Sequence, residues 1–166
     1  MPMMFLALLC LGYWYYLVQS TADLPLRVAI FFGSNGRATG WLTRTDDLHL
    51  MEAIGIGLPV VLAAVGMVFC LLSLIGAGLR RLGGSSLSAE HPPTGPFIFR
   101  YLLWLGCWVV GFAFAVQYFI AQANSSLPAT MPVTSFLAVV VSFCAVVVVW
   151  CSKLAATLRD PRSFVS

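Results

Sequence analysis

Four long apolar stretches, free of charge through their central turns, constrain this chain more than anything else in it. They run from Met3 to Val18, from about Ile54 to Leu79, from Phe97 to Ala121 and from Val133 to Ser152. Crossing roughly 30 Å of hydrocarbon takes about 20 apolar residues in a helix. A single spanning segment must be helical, because lipid leaves the polar groups of an open strand unpaired. The 166 residues are 60% hydrophobic and only 9% charged, too few polar side chains to clothe a water-soluble domain. The fold expected is an all-α membrane protein in which residues 1–166 form one four-helix domain. Its helices fall at about 3–19, 46–81, 97–121 and 133–154.

The first stretch has a rival reading as a cleaved signal peptide, with small residues at Ser20 and Ala22. No Lys or Arg precedes the run, however, and it carries Tyr13, Trp14, Tyr15 and Tyr16. Such aromatics suit the membrane–water interface better than a signal core, so a retained helix is expected.

Charge is placed unevenly. Arg80, Arg81, Arg100, Lys153, Arg159 and Arg162 flank one set of helix ends, whereas Arg27, Arg37 and Arg44 lie in the first loop with Asp23, Asp46, Asp47 and Glu52. Basic residues near helix ends favour the cytoplasm. That puts the 80–100 loop and both termini inside, and the 20–53 and 122–132 segments outside. No basic face is clustered enough for nucleic acid. Cys10, Cys70, Cys107, Cys144 and Cys151 all sit in or beside apolar spans without Cys-x-x-Cys spacing, which reads as packing and not as a disulfide or metal framework.

The 20–53 segment is too long for a plain connector. Arg27 to Phe32 is rich in strand formers, Asn35-Gly36 is a tight-turn signal, and Arg37 to Thr43 returns as a second strand. A small extracytoplasmic β-hairpin at about 27–43 is therefore expected between helices 1 and 2. Thr45 is placed to cap the second helix, with Asp46 and Asp47 at its positive end, and Pro59 should kink the helix or mark a joint. Gly55, Gly57 and Gly66, together with Gly76 and Gly78, offer places for another helix to approach closely. Leu82 to Pro96 reads as a Gly-, Ser- and Pro-rich linker, and Asn124-Ser125-Ser126 has the form of a glycosylation sequon.

Chemistry is hard to find. The span cores hold no Asp, Glu, Lys, Arg or His, and Gln117 is the most polar side chain at depth, suited to a helix–helix hydrogen bond. No intramembrane His is present to hold haem or chlorophyll. His49 can meet Glu52 at i, i+3, but further metal ligands are missing, so a solvated interfacial His is expected. No catalytic triad, phosphate loop or carboxylate pair is recognisable. No enzyme activity, cofactor or metal is expected.

The stretch from Leu24-Pro25 through Arg27, Phe31-Phe32, Asn35-Gly36-Arg37 and Gly40-Trp41, with Gly57-Leu58-Pro59 after it, resembles a bacterial membrane module of uncharacterised function. That module also stands at the N-terminus of immunity membrane proteins that protect bacilli against the sporulation-delaying toxin. The likeness covers about residues 1–80. The family's His before Phe is replaced by Phe31, so no role of that His carries over. The resemblance implies a bacterial cytoplasmic (inner) membrane.

Three functions stay open. The first is an accessory subunit of a larger membrane complex, with the lipid bilayer and other membrane subunits as partners. The second is an immunity or sensing protein that meets an extracellular peptide or toxin through Arg27, Arg37, Trp41 and Arg44. The third, less supported, is a small transporter component.

Overall fold

The computed structural model describes residues 2–82, 94–126 and 128–159. In chain order, α1 is Pro2–Ala22, β1 Arg27–Phe32, β2 Ala38–Thr43 and α2 Arg44–Glu52. A π-helical turn at Ala53–Gly57 leads into α3, Leu58–Leu82, which is followed by α4, Thr94–Asn124, and α5, Val133–Arg159. Four helical stretches are long and apolar enough to cross a membrane: Pro2–Ala22, Arg44–Gly78, Gly95–Asn124 and Val133–Thr157. The linker expectation at 82–96 falls largely on residues 83–93, outside the described ones.

The helices outrun the apolar stretches at their ends, because interfacial residues such as Ser20, Thr21 and Asn124 continue the backbone ladder. The second helix differs most from expectation. It starts at Arg44, capped by Thr43 and not by Thr45. Thr43 Oγ1 accepts from the Asp46 amide at 3.2 Å and donates to the Asp46 carboxylate at 2.6 Å. Thr43 lies in extended backbone at the end of β2, so its hydroxyl points back at the free amides of the first turn, whereas Thr45 is already helical.

The joint at Pro59 takes the form of the π-turn before it, where the Leu58 amide bonds the Ala53 carbonyl five residues back. Proline has no N–H, and its ring crowds the carbonyl four residues earlier. A widened turn absorbs both defects. Pro59 itself is fully buried, and it lies beside Gly106 and Leu6.

Helix α4 is the hub, since α1, α3 and α5 each pack against it. The core joins Leu6, Tyr13 and Leu17 of α1 to Leu103, Cys107, Val110, Ala113 and Ile120 of α4, with Leu24, Val28 and Met51 closing its hairpin end. Gly66 lets α3 approach α4: a Cβ there would lie 3.0 Å from Phe99 and 3.3 Å from Leu102. A Cβ on Gly57 would meet nothing within 4 Å. Helix α5 leans on α4 through rings spaced seven residues apart. Phe136 meets Phe119 edge-on at 5.8 Å, Phe143 stacks on Phe112 at 4.3 Å, and Trp150 meets Tyr101 at 4.4 Å.

The two strands pair antiparallel from Arg27↔Thr43 to Phe32↔Ala38, with irregularities around Phe31. Gly36 turns the hairpin at φ +74, a conformation that costs a residue without Cβ little.

Candidate functional site

The bundle end that carries the hairpin brings together the end of α1, both strands, all of α2, the end of α4 and the start of α5. It is where the chain's polar side chains become enclosed, and its attachments explain why.

The hairpin is fastened at its turn and at its middle. Its turn bonds to the α4–α5 connection: the Met131 amide donates to the Gly36 carbonyl at 3.0 Å, and Arg37 bridges Thr130. A Cβ on Gly36 would sit 2.7 Å from the Met131 carbonyl oxygen, so glycine is required there for space as well as for φ. At its middle, Ala29 is held by Asn124. Asn124 Oδ1 accepts from the Ala29 amide at 2.8 Å, and Nδ2 donates to the Ala29 carbonyl at 2.9 Å. The same Nδ2 donates to the Ile120 carbonyl at 2.8 Å. The first residue of the apparent sequon is thus committed to holding a strand.

The motif residues divide by this geometry. Leu24 is buried in the core, Phe32 packs beside Phe119 and Met131, and Gly40 lies under the Phe31 ring. Asn35 accepts from the Arg37 amide at 3.0 Å within the turn. Arg44 is not a free contact: its Nη1 donates to the Ala22 and Leu24 carbonyls at 3.3 and 3.5 Å, closing the C-terminal end of α1. Pro25, Arg27 and Arg37 remain exposed, with Leu26, Phe31 (61% exposed) and Trp41 (55%) around them.

Beneath the hairpin lies a polar cluster. Asp47 and Gln117 are both 0% exposed, and Thr21 is 5% exposed. Gln117 Nε2 donates to Ser20 Oγ at 3.2 Å, which joins α4 to α1. Both Asp47 carboxylate oxygens, Gln117 Oε1 and Thr21 Oγ1 have no hydrogen-bond partner among the described residues. Asp47 belongs to the polar helix α2, ahead of the apolar segment that begins at Ala53. Burial pushes its carboxyl up from 3.8 to about 6, and the neighbouring Gln117 amide offsets part of this. That amide lies close enough to influence the carboxyl, yet its geometric bond is to Ser20.

Tyr13 ties the cluster to the π-turn. Its hydroxyl donates to the Met51 carbonyl at 3.0 Å, and its ring occupies the space where a Gly55 Cβ would stand. A widened turn leaves carbonyls without an i+4 amide, and the tyrosine supplies a donor beside it. The expected meeting of His49 with Glu52 is present, at 3.7 Å on the exposed side of α2. Among the described residues, no group of three His, Cys, Asp or Glu side chains is arranged to hold a metal ion.

Along α1 and α4 runs a second feature, an open apolar groove of about 580 Å³. Gly12, Gly111 and Ala115 lie in its walls, with Leu8, Phe114 and Tyr118 along it. A Cβ on either glycine would meet nothing within 4 Å, so both walls are low and uncovered. Sequence reasoning flagged Gly55, Gly57, Gly66, Pro59 and Gln117 for packing but passed over Gly12 and Gly111. The signal was available: each is a glycine inside an apolar helix, where another helix backbone can approach closely.

No protein-family model matches the chain, and no curated protein or solved structure is significantly similar to it.

Proposed function

We propose that this chain is a non-enzymatic multi-pass membrane protein that serves as an accessory subunit of a larger membrane complex. The α1–α4 groove carries the reading. Two glycines and an alanine lower its walls over a stretch of apolar surface, the kind of relief that lets another membrane helix approach backbone to backbone. Lipid tails provide no hydrophobic drive for helices to associate, so close packing must supply it, and a low-walled groove offers more packing than a convex face. No ionisable side chain lines the apolar segments of the described helices in the manner of a transport pathway, which argues against the transporter reading.

In the bilayer, the hairpin end faces away from the cytoplasm. Arg100 and Lys153 stand toward the opposite ends of α4 and α5, where basic residues favour the cytoplasmic side. Both termini are then cytoplasmic, and the resemblance of residues 1–80 to a bacterial module points to the inner membrane. Purification from native membranes in mild detergent, with mass spectrometry of co-eluting chains, tests the reading. A partner at fixed ratio supports it, and elution alone or as a homo-oligomer sinks it.

A second reading, immunity or sensing of an extracellular peptide, draws on the outer surface. Arg27, Phe31, Arg37 and Trp41 are held out by a fastened hairpin and, among the described residues, carry no side-chain hydrogen bond or ion pair. Toxin sensitivity of a deletion strain separates the two: a sensitised strain favours immunity.

A further inference from the structure

A carboxylate in the first turn of a helix ordinarily faces water or the helix's own free amides. Asp47 does neither. It is wholly enclosed, with both oxygens unpartnered, and beside it Gln117 Oε1 is equally enclosed and unpartnered. Buried acceptors without a geometric hydrogen bond are costly, because each has given up water, and the Gln117 amide nearby offsets only part of that cost for Asp47.

Among the described residues, the surroundings supply no counter-charge. From α1, the Tyr13 hydroxyl is the ionisable group that interacts with Asp47, but its proton is spent on the Met51 carbonyl. From α4 comes the neutral Gln117. The π-turn and β2 carry no ionisable residue, and Arg27 of β1 is exposed. On α2 itself, Arg44 is turned onto the end of α1, Asp46 onto Thr43, and His49 onto Glu52. Among the described residues, the His49–Glu52 pair is the one ion pair present.

A single proton on Asp47 removes the buried charge and gives Oε1 of Gln117 a donor. We propose that Asp47 is a proton-binding site, its carboxylic acid donating to Oε1 of Gln117 while Nε2 of Gln117 stays on Ser20. The proton then links α2 to α4, and through Ser20 to α1, at the point where the hairpin joins the bundle. This inference does not depend on which partner the chain docks with.

The sign follows from burial. A carboxyl whose folded value is raised above its unfolded one binds protons more tightly when folded, so the folded state is favoured at low pH. That advantage is full below about 3.8 and is lost as pH rises through about 6.

The test uses the full chain in nanodiscs, with thermal unfolding followed from about pH 4.5 to pH 8. The wild-type Tm is expected to fall by several degrees through about pH 6 and then level off. Asp47→Asn keeps the shape without the charge. Its profile should be flatter, and at pH 8 its Tm should equal or exceed that of wild type. Profiles of the same shape for the two proteins overturn the proposal, and point to an amide turned so that Nε2 meets an ionised Asp47. Recovery of the wild-type Tm at pH 8 on exchanging choline for sodium or potassium also overturns it, in favour of a metal cation. Should Asp47→Asn fail to fold, infrared spectra of wild type decide. A carboxylic-acid carbonyl band that titrates near pH 6 supports the site, and absence of any such band above about pH 5 overturns it.

Discussion

The side chain of Asn124, in the last turn of α4, makes both backbone hydrogen bonds that the free edge of β1 offers at Ala29. A primary amide has the donor and acceptor of a peptide unit, so Asn124 acts as a one-residue third strand. A two-stranded hairpin is marginal by itself, and this clamp, with the Gly36–Met131 bond, gives it a support.

Replacing the clamp should loosen the hairpin before the bundle. Asn124→Ala leaves a buried amide and carbonyl of Ala29 unpaired, at a cost on the order of 1–3 kcal/mol for each group. Asn124→Asp keeps the acceptor but sets a carboxylate oxygen against the Ala29 and Ile120 carbonyls, so it should cost at least as much. Trypsin cleavage at Arg27 and Arg37 measures the change: faster cutting is expected for both variants. Cutting at the wild-type rate would contradict the clamp.

The contact between Tyr13 and Gly55 predicts a coupled pair. Gly55→Ala places a methyl inside the Tyr13 ring and should cost about 1–3 kcal/mol, as overpacking does. Tyr13→Phe removes the bond to the Met51 carbonyl with little change of shape, at about 1 kcal/mol. Adding Tyr13→Ala to Gly55→Ala should recover part of the loss from the glycine change. A double-mutant cycle on chemical unfolding in detergent reads the coupling, and strict additivity would count against the contact.

The large features were legible in the sequence because they rest on length and local chemistry. Four apolar stretches gave four long helices, and Asn35-Gly36 between strand formers gave a hairpin with both strands nearly in place. What escaped depends on contacts between distant residues. Asp47 read as a helix-dipole partner, since nothing local says that Gln117, 70 residues later, covers it. Asn124 read as part of a sequon because its role requires knowing where Ala29 lies. Arg44 looked free for a partner, yet the end of α1 takes its donors. Thr45 lost the cap to Thr43 because β2 runs into the helix without a spacer, a boundary that composition does not mark.

Helix α5 should detach as a unit. Its ring pairs with α4 contribute about 0.5–1.5 kcal/mol each beyond burial, and Phe143 stands in the middle of the ladder. Phe143→Ala should raise amide exchange along α5 while α1, α3 and α4 keep their protection. Hydrogen exchange with mass spectrometry in nanodiscs checks this, and uniform loosening of the whole chain would show that α5 is integral to the core.

The arginines of the hairpin end should separate by role. Arg44→Ala removes donors from the carbonyl end of α1 and should cost on the order of 1 kcal/mol. Arg27→Ala and Arg37→Ala should stay within about 0.5 kcal/mol of wild type, because surface changes away from a contact do little. Thermal unfolding of the three variants decides whether the outer charges are free to meet a ligand.

The groove of α1 and α4 is the surface on which the accessory-subunit account depends most. A photo-crosslinking amino acid placed at Leu8 or Tyr118, activated in native membranes, tests it directly, with Val68 on an exposed stretch of α3 as control. The account predicts a discrete protein adduct of one mass from the groove positions and none from Val68. Lipid adducts alone at all three positions would contradict it.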